Sequence, residues 1–188
     1  VAPATATLRF DLDEATALRR LNEWGGQPLP VNASAWWDGT LVLRLSGARA
    51  AVDAATSRLG GEVIPPEMAQ SFWLGLRDQQ DEFFGMAAQT VAAGGHLWRV
   101  SVPQTAAPLG LPGDTLIEWG GAQRWVCTPA EESKAEQAVV AAAKEAGGHA
   151  QALRGPRAGS TLSLDPTLLR IHRQLKTAFD PHGLFNLG

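Results

Sequence analysis

The sequence predicts an α+β fold: an antiparallel sheet made of two βαββαβ-type units, the second incomplete, with helices packed on one face and a final C-terminal helix. Three observations carry this prediction. A helical pattern, a Gly-Gly pair and a strand-like run recur in that order three times, starting near residues 12, 47 and 130. Asp38-Gly39 separates two apolar-rich runs, a strong short-range hairpin signal. Gly120-Gly121 does the same between Thr115–Trp119 and Gln123–Cys127.

Along the chain, Ala6, Leu8 and Phe10 alternate with Thr5, Thr7 and Arg9, the period of a half-buried strand. Asp11 followed by Glu14 reads as a helix cap, and the helix places Ala17, Leu18, Leu21 and Trp24 on one face before Gly25-Gly26. The hairpin Ser34–Trp37 and Leu41–Leu45 follows. Ser46 is the expected cap of the next helix, whose Ala48, Val52, Ala55 and Leu59 share a face and which stops at Gly60-Gly61. A short strand over Glu62–Ile64 completes a ferredoxin-like unit over residues 1–66.

Residues 67–96 read as a helical connection, interrupted near Gly85. The second unit, 97–188, opens with the strand Leu97–Val102, but Gln104–Asp114 is rich in Pro and Gly where a complete repeat needs a helix. Thr128, Pro129 and Glu131 mark a helix start. Ala135, Ala138, Val139, Ala142 and Ala146 then face inward, and a strand over His149–Leu153 follows Gly147-Gly148. Ala152–Ser163 reads as a loop with solvated Arg154 and Arg157, and Asp165-Pro166 opens a last helix expected to bury Leu168, Ile171, Leu175 and Phe179.

Composition narrows the function. The chain has 188 residues, 45% hydrophobic and 19% charged, with a net charge of -3, which describes a globular domain and disfavours nucleic acid or an anionic membrane as main partner. No run approaches the roughly 20 apolar residues of a membrane span. Cys127 is the sole cysteine, so no internal disulfide forms. His96, His149, His172 and His182 have no i,i+2 or i,i+4 partner, so no local metal motif exists and no metal is expected.

The chain closes with Leu-Lys-Thr-Ala-Phe-Asp-Pro-His-Gly-Leu-Phe-Asn-Leu-Gly from Leu175 to Gly188, where Pro181 and Gly183 shape a rigid loop presenting Asn186. This tail resembles the C-terminal motif of FAD-linked oxidases of the vanillyl-alcohol-oxidase type, with Leu187 in place of the usual proline. Adding the strand Leu97–Pro103 and the Trp-rich hairpin Ile117–Trp125, the chain is similar to the FAD-binding E subunits of bacterial glycolate oxidases. Those proteins carry an N-terminal FAD domain. The five Gly-Gly pairs here are spaced as helix ends and turns, and none forms the phosphate-cradling loop of a dinucleotide site.

The resemblance therefore implies a C-terminal substrate or cap domain of a longer protein, inactive alone and carrying no FAD of its own. Its partners would be the N-terminal FAD domain, the glycolate oxidase D subunit, the iron-sulfur subunit and a small 2-hydroxy acid. It implies a cytoplasmic location, peripheral to the inner membrane at most through partner subunits. A non-catalytic assembly domain of the same enzyme is the alternative.

Flavin oxidation of a 2-hydroxy acid calls for a cation on the carboxylate and a base near the hydroxyl. Arg99 and Arg124 are the candidate cations, each beside a Trp, where stacking on that ring is the plainer role. His149 is the candidate base, against a residue that merely ends a helix. Trp119 with Gly120-Gly121 could approach a flat ligand or simply anchor a turn, and Asn186 could meet the flavin edge or satisfy its own backbone.

Overall fold

The computed structural model describes residues 3–130, 134–156, 158–159 and 166–184. Eight strands form one antiparallel sheet: β1 (Ala4–Asp11), β2 (Val31–Trp37), β3 (Thr40–Gly47), β4 (Glu62–Val63), β5 (His96–Ser101), β6 (Thr115–Glu118), β7 (Gln123–Thr128) and β8 (His149–Arg154). Their spatial order is β4-β1-β3-β2-β6-β7-β5-β8. Each four-strand half thus has the same internal order, and the halves meet edge to edge at β2 and β6. Six α-helices lie among the described residues: α1 (Glu14–Gly25), α2 (Arg49–Leu59), α3 (Pro66–Arg77), α4 (Glu82–Ala92), α5 (Ala135–Glu145) and α6 (Pro166–Phe179). The α+β class and the antiparallel sheet stand as the sequence predicts.

Cross-strand partners project to the same side of a sheet, which fixes the faces. Trp36 of β2 opposes Leu41 of β3 and Ile117 of β6, and Ile117 opposes Arg124, which opposes Val100. Two apolar clusters therefore share one face: Leu8, Leu41, Leu43 and Leu45 under α1 and α2, and Trp98, Val100 and Val126 under α5. Burying each such leucine contributes about 2 kcal/mol. Helices were expected on that face alone, yet α3 and α4 cover the other. Phe83, Phe84, Ala87 and Leu76 pack there on Ala35, Leu97, Leu116 and Trp125, because these strands are apolar on both sides.

Several local expectations are corrected. Asp13, not Asp11, caps α1, its carboxylate accepting from Thr16 N at 2.8 Å. Ser46 ends in β3, and α2 begins after Ala48 without a side-chain cap. The connection breaks at Asp78–Asp81 rather than at Gly85, since Gln79 takes a φ of 56° and Asp81 caps α4. Thr128 closes β7, where its hydroxyl accepts from the Trp98 indole at 3.0 Å, and α5 starts only at Ala135. Glu131, Arg157, Asp165 and Asn186 lie outside the described residues. Helix α6 buries none of its residues, and Leu168, Ile171, Leu175 and Phe179 are 42 to 84% exposed.

Candidate functional site: a charged cleft at the seam of the sheet

Strands β2 and β6 share two register pairs, Ala35 with Glu118 and Trp36 with Ile117. Beyond them the chain leaves β6 in a tight turn over Trp119–Gly121, where Trp119 and Gly120 take positive φ angles of 53° and 65°. The left-handed conformation is costly for a Trp, so the surroundings must hold it. Gly120 N–H donates to Ser34 Oγ at 2.8 Å, tying the turn to β2. A cleft of about 1250 Å³ opens along this seam, with Thr7, Arg44, Trp73, Glu118, Trp119 and Gln123 among its walls.

Two charged side chains in the cleft are held in fixed poses. Arg44 Nε donates to Asn32 Oδ1 at 2.7 Å, and the guanidinium carbon lies 5.0 Å from the centroid of the Trp73 ring. Trp73 is itself oriented, its Nε1 donating to Thr7 Oγ1 at 3.0 Å. Across β2, Glu118 Oε2 accepts from Trp125 Nε1 at 2.6 Å and from Gln123 Nε2 at 3.2 Å. Burial pushes the Glu118 carboxyl above its ordinary value; these two hydrogen bonds oppose the shift, and the charge of nearby Asp81 adds to it.

Of the described residues singled out from sequence as site candidates, Trp119 and its neighbour Gly120 line the cleft, Trp119 70% exposed at its rim. Arg99 and Arg124 do not converge: Arg99 opposes Trp125, whereas Arg124 opposes Val100, so they point from opposite faces. Arg124 is a structural residue rather than a substrate clamp. It is 0% exposed, and it donates to three carbonyls, from Nη1 to Ala107 and Nη2 to Ala106 at 2.8 Å each and from Nε to Gly121 at 3.2 Å, with Glu14 at 3.8 Å. Arg99 Nη2 donates to Gln151 Oε1 at 3.1 Å, outside the cleft. His149 lies near it; burial, then the charges of Arg99 and His172, hold the imidazole below its ordinary value. That opposes the charged form, which a helix C-terminus would favour.

The sequence reading missed Arg44 and Glu118. Arg44 is the single charged residue in the alternating run of β3, which by itself reads as a solvated outer position. Glu118 sits one residue before Trp119, and only the strand register reveals that both face one cleft. Among the described residues, no cluster of three or more His, Cys, Asp or Glu could hold a metal, and no helix is long and apolar enough to cross a membrane.

No family model matches the chain. Glycolate oxidase subunit GlcE of Escherichia coli (strain K12) is 39% identical to it over 185 residues, covering 98% of this chain and 48% of that protein. The chain thus spans about half the length of the relative it matches.

Proposed function

We propose that the chain is the C-terminal substrate or cap domain of an FAD-dependent glycolate oxidase subunit, lying over a flavin held by the other half of that subunit. The identity with subunit GlcE, sustained over 98% of the chain, carries this reading. Among the described residues, none forms a cradle for the FAD diphosphate. A diphosphate cradle needs a glycine-rich loop feeding a helix N-terminus. The N-caps described here are Asp13, Ala48, Pro65, Asp81 and Lys134, and Gly60, Gly94 and Gly147 follow helices instead. No step on the flavin is therefore assigned to this chain. Its contribution is a wall of aromatic and charged side chains at the cleft.

The test is glycolate-dependent reduction of an artificial acceptor by the assembled D, E and iron-sulfur subunits, with and without this half of the E subunit. Loss of turnover with retained flavin is expected without it. Normal turnover overturns the reading. The chain alone, mixed with FAD and desalted, should show no stoichiometric flavin band.

A second reading, an assembly domain, is favoured by α6. Its stripe of Leu168, Ile171, Leu175 and Phe179 is exposed, with Phe179 84% so. If α6 is an interface, Leu175→Ser with Phe179→Ser lowers subunit co-purification, and turnover falls only in proportion to assembly.

A further inference from the structure

We propose that Arg99, Ser101, His149 and Gln151 form a binding site for a tetrahedral oxyanion of the phosphate type, on one face of the β5–β8 pair. The inference goes beyond the glycolate oxidase reading and does not rest on it.

Strand register brings the four side chains together. Arg99 opposes Gln151 and Ser101 opposes His149, so they stand at the corners of one block on a single face of the two strands. Ala150 and Ala152, which alternate with them along β8, pack on the opposite face under α5. Diagonal neighbours such as Arg99 and His149 lie about 7–8 Å apart, within reach of long side chains. Arg99 also leans the right way, because its Nη2 donates to Gln151 Oε1 at 3.1 Å and so carries the guanidinium toward the strand of His149.

Unused donors define the ligand. Arg99 gives one of its five N–H groups to Gln151, and the others have no partner among the described residues. Gln151 accepts through its oxygen, which leaves its amide hydrogens to donate. The Ser101 hydroxyl and the His149 ring nitrogens are likewise without a partner among the described residues.

No counter-charge accompanies them. After burial, the influences on His149 are the charges of Arg99 on β5 and His172 on α6, and no carboxylate is among them. In the same row of the sheet Glu118 lies beyond β7, its Oε2 taken by Gln123 and Trp125. Cationic groups gathered without a carboxylate favour an anion. Donors at four corners suit a tetrahedral anion, which has an oxygen for each, whereas a carboxylate offers only two.

Inorganic phosphate titrated into the 188-residue chain at low salt should shift the His149 and His172 ring-proton NMR signals along one saturable curve. Sulfate should do the same, and acetate should bind about tenfold more weakly. Arg99→Gln should weaken sulfate about tenfold or more, while Arg170→Gln on α6 leaves it unchanged. Sulfate does not titrate near neutrality, so any pH dependence belongs to the protein. Its affinity should fall as pH rises through the His149 titration, since only the imidazolium brings a charge, and His149→Gln should remove most of that fall.

Absence of a saturable shift overturns the site, and so does sulfate binding that Arg99→Gln leaves intact. Acetate binding as tightly as sulfate overturns the tetrahedral class. Should Arg99→Gln fail to fold, Ser101→Ala combined with His149→Gln tests the same block; unchanged sulfate affinity and pH dependence there refute it. Methyl phosphate separates the sources: affinity at or above that of phosphate assigns a phosphate monoester, and exclusion of the ester with phosphate retained assigns the free ion.

Discussion

The two halves of the sheet share a strand order but not a cover. In the first half, α1 and α2 both lie on the core face, and each helix satisfies its own backbone. In the second half α5 lies there, and where a counterpart of α1 would run between β5 and β6 the chain crosses without a helix. Ala106, Leu109 and Leu111 still supply apolar cover. A loop over a core, however, brings carbonyls that cannot pair with each other. The buried Arg124 fork supplies the missing donors, and Glu14 of α1 stands near enough to offset its charge. One guanidinium thus answers the backbone demand that a helix would have met internally.

Breaking that substitute should have the largest effect. Arg124→Ala strands three carbonyls and Glu14, and is expected to cost about 3–5 kcal/mol, measured by urea unfolding. A loss under about 1 kcal/mol would mean that the loop finds other donors.

The next test asks whether the Gly-Gly helix endings of both halves are equivalent. A Cβ on Gly148 would stand 2.0 Å from the Ser101 carbonyl, and one on Gly61 would stand 2.8 Å from that of Arg9, whereas Gly60 has open space and Gly147 meets only Pro103 Cγ in ordinary contact at 4.0 Å. Gly148→Ala and Gly61→Ala should each cost about 1–3 kcal/mol or more. Gly60→Ala and Gly147→Ala should cost less, from positive φ alone. Equal losses at all four positions would break the parallel.

A smaller gain is expected in the first half. Ala48 holds extended N-cap geometry without a capping side chain, so Ala48→Asp should stabilise by about 1 kcal/mol, read as a higher melting temperature.

The mildest effect concerns pH. Burial raises the Glu118 carboxyl in the folded chain, so the folded state holds that proton more tightly than the unfolded one. Stability from this group is therefore greatest in acid and declines as pH rises from the ordinary carboxylate value through the raised one. Asp81, which faces it, and Glu14 are raised in the same direction. Glu118→Gln should flatten part of that decline in melting temperature. An unchanged pH profile would show that Glu118 is not the group responsible.

Most of the fold was legible because periodicity and turn chemistry are local. The Asp38-Gly39 hairpin, the Gly-terminated helices α1, α2 and α5, and the strands β5 and β8 follow from residues close in sequence. What the sequence hid is set by distant partners. Whether Arg99 and Arg124 share a face depends on register against β7 and β5, and neither spacing nor composition encodes it. The α6 stripe has the pattern of a buried face, but periodicity shows amphipathicity without naming what covers it. Arg44 and Glu118 stayed hidden for the same reason, being neighbours only across β2.

The two-pair seam between β2 and β6 also bears on the order in which the molecule is assembled. Gly120 and Ser34, bonded across it, are 86 residues apart, while the ladders of the first half close among residues 4 to 63. Loop-closure entropy grows with separation, and a chain emerging from the ribosome offers its early residues first. The first half can complete its ladders while β6 is still unsynthesised, its β2 edge waiting open. Joining the seam is then the late event, and the cleft that depends on it comes into being only when the second half has closed.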